Sequence, residues 1–205
     1  EHCELFVAFG GLALKNAQVS SGGAAEHALK PWLQKLAQKG TPVVNISPMR
    51  DDCPGFVNAE WIPIRPNTDV ALMLALAYEI QQLGAHDEAF LHSHCVGYQQ
   101  LADYLNGVSD GVVKTPAWAS AITGIPAARI ARLARQLSGV RSFITCSYSV
   151  QRAPRRATVL DDDRAVGDAG PGGAAGRRLF LRPWLDERRR QPARGHPRAD
   201  HAGRG

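Results

Sequence analysis

The chain is poor in cysteine. Cys3, Cys53, Cys95 and Cys146 stand far apart among 205 residues, with no CxxC pair. That scatter argues against a disulfide framework, a closed zinc site or an iron–sulfur centre. No apolar run approaches the roughly 20 residues that a membrane-spanning helix requires, which excludes a helical span. Residues 153–205 contain no lysine, yet they hold 12 arginines against 7 acidic residues, whereas residues 1–152 hold 12 basic and 12 acidic residues. The formal net charge of +5 therefore sits in the C-terminal stretch. The balanced body offers no basic face for nucleic acid. Neither a start methionine nor a signal-peptide pattern opens the chain, which begins at Glu1 and reads as an internal part of a longer protein. Its length suffices for one domain with a real core.

What is present is an alternation of apolar runs and helical periods. Residues 4–9 (ELFVAF) fit a strand buried on both faces, closed by Gly10-Gly11, a pair that permits a tight turn. Residues 26–39 carry Leu29, Trp32, Leu33 and Leu36 on one helical face. Gly40 ends that helix, and Pro31 is tolerated in its first turns. Residues 43–46 (VVNI) are the next strand, so a right-handed βαβ unit is expected. A polar turn opened by Ser47-Pro48 leads to a short strand over 61–64. A second polar turn, Arg65-Pro66-Asn67-Thr68-Asp69, opens a nearly all-apolar helix over 70–83. That helix is expected to be buried on several sides, with part of its surface left uncovered in a chain of this length.

Residues 87–95 and 98–105 read as a helical pair broken at Gly97. Thr115 and Pro116 start a further helix, as N-cap and first helical residue. Residues 126–137 are amphipathic, with Ile130, Leu133 and Leu137 inward and Arg129, Arg132 and Arg135 outward, a solvated face sooner than a phosphate patch. Residues 142–146 are the last strand. The fold class is α/β: an open, mostly parallel sheet with helices on both faces. Both polar turns follow carboxyl ends of strands, the edge where such sheets bind ligands, which predicts one crevice for a nucleotide-like ligand. His92 and His94 tempt as metal ligands, but i, i+2 spacing on a helix splays two imidazoles to different faces, so no metal site is assigned.

Ser47-Pro48-x-Arg50, followed by Trp61-Ile62-Pro63-Ile64-Arg65-Pro66-x-Thr68-Asp69-x-Ala71-Leu72, resembles the molybdopterin oxidoreductases. Within them it is most similar to the S- and N-oxide reductases that act on dimethyl sulfoxide, trimethylamine N-oxide and biotin sulfoxide. The resemblance covers about residues 4–153. It implies molybdenum bis(molybdopterin guanine dinucleotide) as the cofactor, with the two polar turns holding a guanosine end of it. It also implies oxygen-atom removal from a small sulfoxide or N-oxide as the activity of the intact enzyme. Cofactor contacts are implied for Gly10, Gly11, Lys15 and Asn16 after the first strand, for Ser47, Pro48 and Arg50 after the second, and for Pro66, Thr68 and Asp69 after the third. Beyond the last strand, Ser147-Tyr148-Ser149-Val150-Gln151-Arg152 is similar to the family's pterin- and substrate-facing turn, which makes Tyr148, Gln151 and Arg152 candidates as well.

The residues themselves leave simpler roles open. Lys15 and Arg50 are also ordinary solvated charges, and Asp51-Asp52 can cap the turn that follows. Thr68 or Asp69 can serve as an N-cap. The roles are compatible: Thr68 caps, while the Asp69 carboxylate accepts two parallel hydrogen bonds from guanine N1–H and N2–H, a pattern adenine does not offer. The serine that ligates molybdenum in the resembled enzymes has no counterpart here. No catalytic residue is assigned, and the chain by itself is expected to be inactive.

After Ala153 the family's His-Gly-Glu-Gln-Pro-x-Trp continuation gives way to a stretch rich in Arg, Gly, Ala and Pro without sustained apolar period. Codons for residues 154–171 can be chosen so that reading one nucleotide later yields Arg-Gly-Glu-Gln-Pro-Tyr-Trp-Met-Thr-Ile-Val-Leu, the expected continuation. Residues 154–205 are thus expected to be a frameshifted, disordered tail, against the alternative of a basic tail for an anionic partner. Residues 1–153 are the expected guanosine-binding domain. The other reading of this body is a stand-alone, non-catalytic guanine-nucleotide-binding module, or a pseudogene product. Cytoplasm and periplasm both stay open, as do the substrate oxide and the electron donor.

Overall fold

The computed structural model describes residues 2–17 and 28–147. Within them the chain is α/β. Strands β1 (Leu5–Phe9), β2 (Val43–Ile46), β3 (Glu60–Ile62) and β4 (Ser142–Cys146) form one sheet in the order β3-β2-β1-β4, each neighbouring pair parallel. Register follows from burial on both faces: Val7 lies opposite Val44 and Ile144, and Ala8 opposite Asn45 and Thr145. A slip by one residue would exchange the two faces. The switch in strand order falls between β1 and β4, and the carboxyl ends of all four strands share one edge.

The described residues form six α-helices: α1 (Leu29–Gln38), α2 (Asp69–Gln82), α3 (Glu88–His94), α4 (Tyr98–Leu105), α5 (Pro116–Thr123) and α6 (Ala127–Gly139). One face carries Leu5, Val7, Phe9, Val44, Ile46 and Ile144 against residues of α2, α5 and α6. The other carries Ala8 and Val43 against Leu33 of α1 and Val57. Local signals set the helix ends as expected. Thr115 accepts the Trp118 N–H at 3.1 Å and Pro116 is the first residue of α5. Gly97 takes φ 85° in the break between α3 and α4. No helix among the described residues is long and apolar enough to cross a membrane.

Two expectations fail on packing. Trp32, placed inward by period, is 61% exposed, with the Lys35 ammonium 4.7 Å from its ring. At about 100° per residue, Trp32 sits at the margin of the stripe set by Leu29, Leu33 and Leu36, and Leu33 takes the core position. Helix α2 is not left bare: Ala71 to Ala77 are each 8% exposed or less. Leu72, Met73, Ala75 and Leu76 join the main core, while Leu74 and Ala77 pack on Leu101 and Leu105 of α4. Helix α4 supplies the second cover that an all-apolar helix needs.

Candidate functional site

Three turns meet at the carboxyl edge of β1, β2 and β3. Gly10 and Gly11 adopt φ of 79° and 89°, the left-handed region that glycine enters freely. The Gly10 N–H donates to the Ile46 carbonyl at 2.8 Å, fastening the first turn to β2. At Gly11 a β-carbon would lie 2.6 Å from the Asp52 Cβ. Lys15 is exposed in the 3-10 turn Leu14–Ala17, which also contains Asn16.

In the second turn Ser47 is completely buried. Its hydroxyl donates to Asp52 Oδ2 at 2.6 Å and accepts the Met49 N–H at 3.3 Å. The Trp61 indole donates to the Ser47 carbonyl at 2.9 Å. Pro48 and Arg50 are exposed. Asp52 does not cap the following turn, as the sequence suggested. Its carboxylate reaches back to Ser47, and its carbonyl accepts the Leu12 N–H at 2.6 Å, so it joins the first two turns.

The third turn hangs on α5. Arg65 donates from Nη1 to the Ala121 and Ile122 carbonyls at 2.8 and 3.2 Å, and its backbone N–H to the Thr123 carbonyl at 3.0 Å. These are last-turn carbonyls, where a cation suits the helix dipole. Pro66 is exposed and Asn67 takes φ 64°. Thr68 stands at the N-cap of α2, but its side chain does not cap. Its hydroxyl donates to the Arg65 carbonyl at 2.7 Å, so the turn has drawn it away from the helix N–H groups. Asp69, the first residue of α2, is 7% exposed. Burial pushes its carboxyl pKa up, opposed only by a hydrogen bond from its own backbone N–H. With strands about 4.8 Å apart, the turns after β3 and β1 lie about 10 Å from each other, with the β2 turn between them.

No protein-family model matches this sequence. The chain is 42% identical over 181 residues to biotin sulfoxide reductase of Cereibacter sphaeroides, covering 86% of this chain and 24% of that protein. It is 38% identical over 127 residues to the dimethyl sulfoxide/trimethylamine N-oxide reductase of the same organism, covering 62% and 16%. The chain belongs to the molybdopterin oxidoreductases. It spans about a quarter or less of the length of these relatives. Acetylene hydratase from Pelobacter acetylenicus shares the fold, with a TM-score of 0.60 at 19% identity over 83% of this chain and 22% of that one.

In this molybdopterin oxidoreductase chain the turns carrying Gly10, Gly11, Ser47, Pro48, Arg50, Pro66, Thr68 and Asp69 come together along one edge. Tyr148, Gln151, Arg152 and the stretch 154–205 lie outside the described residues. The helix-face arginines are engaged in part: Arg129 and Arg132 pair with Glu60 at 2.7 and 3.0 Å. His92 and His94 are exposed, and no group of three or more metal-ligating side chains occurs among the described residues.

Sequence reasoning passed over two groups here. Asp52 was invisible as a site residue, because nothing in its spacing shows that it folds back on Ser47. Asn45 did carry a signal, a lone amide inside the apolar run VVNI. It is 1% exposed in β2, two residues before Ser47, and neither amide atom has a hydrogen-bond partner among the described residues. Such a group costs about 1–3 kcal/mol. Replacing Asn45 with Val, of similar size and better strand propensity, is therefore expected to stabilise the ligand-free chain by about 1–2 kcal/mol. A rise in the urea midpoint at unchanged slope is the expected reading; a fall would mean the amide is bonded in solution.

Proposed function

We propose that this chain anchors a guanosine end of molybdenum bis(molybdopterin guanine dinucleotide) in an oxidoreductase that removes oxygen from S- or N-oxides. One observation carries the proposal. A buried carboxylate, Asp69, lies at the carboxyl edge of a parallel sheet, the edge where such sheets bind ligands, with no partner among the described residues but its own backbone N–H. An acid held this way is costly unless a ligand donates to it, and guanine N1–H and N2–H supply two donors in parallel. The resident residues also suit a nucleotide in shape. Gly11 leaves the first turn without a side chain because Asp52 fills the space that a β-carbon would need, and phosphates favour glycine turns of this kind.

The names of the relatives, reductases of biotin sulfoxide, dimethyl sulfoxide and trimethylamine N-oxide, support the reaction class. When bound, the molybdenum–pterin group supplies the two-electron centre at which the oxide gives up its oxygen. The residues of this chain orient that group from its nucleotide end. Arg65 holds the third turn on α5, Asp69 takes the base, and the Gly10-Gly11 turn faces the phosphates. A second reading, a stand-alone guanine-nucleotide module without catalysis, draws support from the burial of α2 residues 71–77 within this chain.

Titration calorimetry of the full chain with GMP, IMP and AMP tests the anchoring. GMP is expected to bind about tenfold or more tighter than IMP, which lacks the N2 donors, since a hydrogen bond to a charged group is worth about 1.5–3 kcal/mol. AMP is expected not to bind measurably. Equal affinity for GMP and AMP would sink the guanosine assignment.

A further inference from the structure

We infer that Lys114 is a positioning residue for the turn that carries Asp69, acting through α5. What that turn binds rests on the guanosine assignment; how the turn is held does not. Lys114 is 1% exposed. A lysine ammonium out of water is costly unless it is paired and hydrogen-bonded, and here four groups enclose it. It donates to Asp110 Oδ2 at 2.6 Å and to the Val112 carbonyl. It also lies 4.1 Å from the Tyr104 ring and 5.5 Å from the Trp118 ring, both within cation–π range. Tyr104 belongs to α4, Asp110 and Val112 to the loop after it, and Trp118 to the first turn of α5. One cation therefore ties three segments together, and its own backbone N–H adds a bond to the Leu105 carbonyl at 2.9 Å. A staple for the loop alone would need the carboxylate and the carbonyl but neither ring.

The far end of α5 holds the Asp69 turn. Arg65 bonds to the carbonyls of Ala121, Ile122 and Thr123. The Thr68 hydroxyl, one residue before Asp69, bonds in turn to the Arg65 carbonyl. Helix α5 has eight residues, roughly 12 Å, and Trp118 stands about one turn before the Ala121 carbonyl. A helix this short takes its order from packing. Its seat at one end therefore sets where the Arg65 bonds fall at the other. Trp118 also packs against the cluster of Leu74 and Ala77 with Leu101 and Leu105, so the caged ring bears directly on the helix that Asp69 opens.

Amide hydrogen exchange of the full 205-residue chain, read residue by residue, compares the unsubstituted protein with Lys114→Met, which keeps the stem and removes the charge. The Arg65 N–H bonds to the Thr123 carbonyl. Its exchange is expected to rise about tenfold more than that of β1 and β2 amides. A rise of equal size throughout overturns the inference. So does a rise confined to Gly111 and Lys114, whose N–H groups bond to Gly107 and Leu105, because Lys114 is then a loop staple. Calorimetry with GMP and IMP reads the site itself. Lys114→Met is expected to weaken GMP binding by about 3- to 30-fold and to narrow the preference for GMP over IMP. Lost stability alone lowers the folded fraction without changing that ratio, so an unchanged ratio in the folded variant also overturns the inference. If Lys114→Met does not fold, Asp110→Asn takes its place, since the Asp110 side chain is 38% exposed. The same pattern is expected at smaller size, and its absence overturns the inference as well. If the unsubstituted chain binds no GMP, the guanosine reading falls, and exchange at Arg65 still decides whether Lys114 holds the turn.

Discussion

Asp69→Asn is expected to exchange one base preference for another. The carboxylate offers two acceptors, whereas the amide offers one acceptor and one donor. Against guanine, the new N–H₂ faces the N2 amino group, donor against donor. Affinity for GMP is expected to fall by about 10- to 100-fold, the equivalent of losing one hydrogen bond to a charged group. Xanthine carries a carbonyl at that position, so XMP is expected to gain what GMP loses. The same substitution is expected to make the ligand-free chain more stable at neutral pH. Burial raises the folded-state pKa of Asp69 above its ordinary value. The sign then follows by linkage. Stability associated with this group is full below the unfolded pKa and is lost as pH rises through the raised folded pKa. Once the pH has risen past that raised pKa the wild-type chain holds a buried ionised acid, and the variant does not.

The pH dependence of binding runs the other way. Guanine needs the ionised form, so GMP affinity is expected to decline as pH falls through the raised pKa of Asp69. Calorimetric titrations with GMP and XMP from neutral to mildly acidic pH, paired with urea unfolding, read all of these. An Asp69→Asn variant that keeps its GMP preference would show that the carboxylate faces something other than the base edge.

Gly11→Ala is the second large effect. The backbone there sits at φ 89°, and the added β-carbon meets the Asp52 Cβ at 2.6 Å and the Asp52 carbonyl oxygen at 3.0 Å. The left-handed conformation costs an alanine about 1–2 kcal/mol, and overpacking against a braced neighbour adds about 1–3 kcal/mol. A loss of about 2–5 kcal/mol is expected by urea unfolding of the ligand-free chain. Gly40→Ala is the control. Gly40 has φ 71° but nothing within 4 Å of a β-carbon, so it is expected to lose only the conformational part, about 1–2 kcal/mol. Similar losses at both positions would mean that Asp52 yields freely and does not brace the turn.

The centre of the sheet was legible in the sequence because β1 and β2 are buried on both faces. Short apolar runs bounded by Gly or Pro gave β2 and β4 their observed bounds, and β1 to within a residue. Helices announced themselves through period and caps, Thr115-Pro116 most plainly. Errors arose where two devices compete for one side chain. Thr68 has the right identity for a cap, yet its hydroxyl is nearer the Arg65 carbonyl once the turn closes. Trp32 has the right identity for a core, but the stripe is already filled by Leu33 and its neighbours. Of the candidate site, the place of Asp69 at the start of α2 was legible through the Thr-Asp pair before an apolar run. Asp52 was not, since its role comes from a fold-back across five residues that no periodicity encodes.

The carboxyl edge of the sheet is stitched mainly by the main chain. Gly10 bonds to Ile46, Leu12 to Asp52, Ser47 to Ile62, Arg65 to Thr123 and Ser147 to Phe9, each through backbone N–H and carbonyl groups. Such stitches are indifferent to which side chains hang from them. A lineage can therefore replace most of its residues along this edge while the outline of the cleft stays put. Shape is inherited here through the peptide groups, which every residue carries. Preference for one ligand over another is left to a few side chains free to drift, and new specificities can arise on this edge without the scaffold being rebuilt.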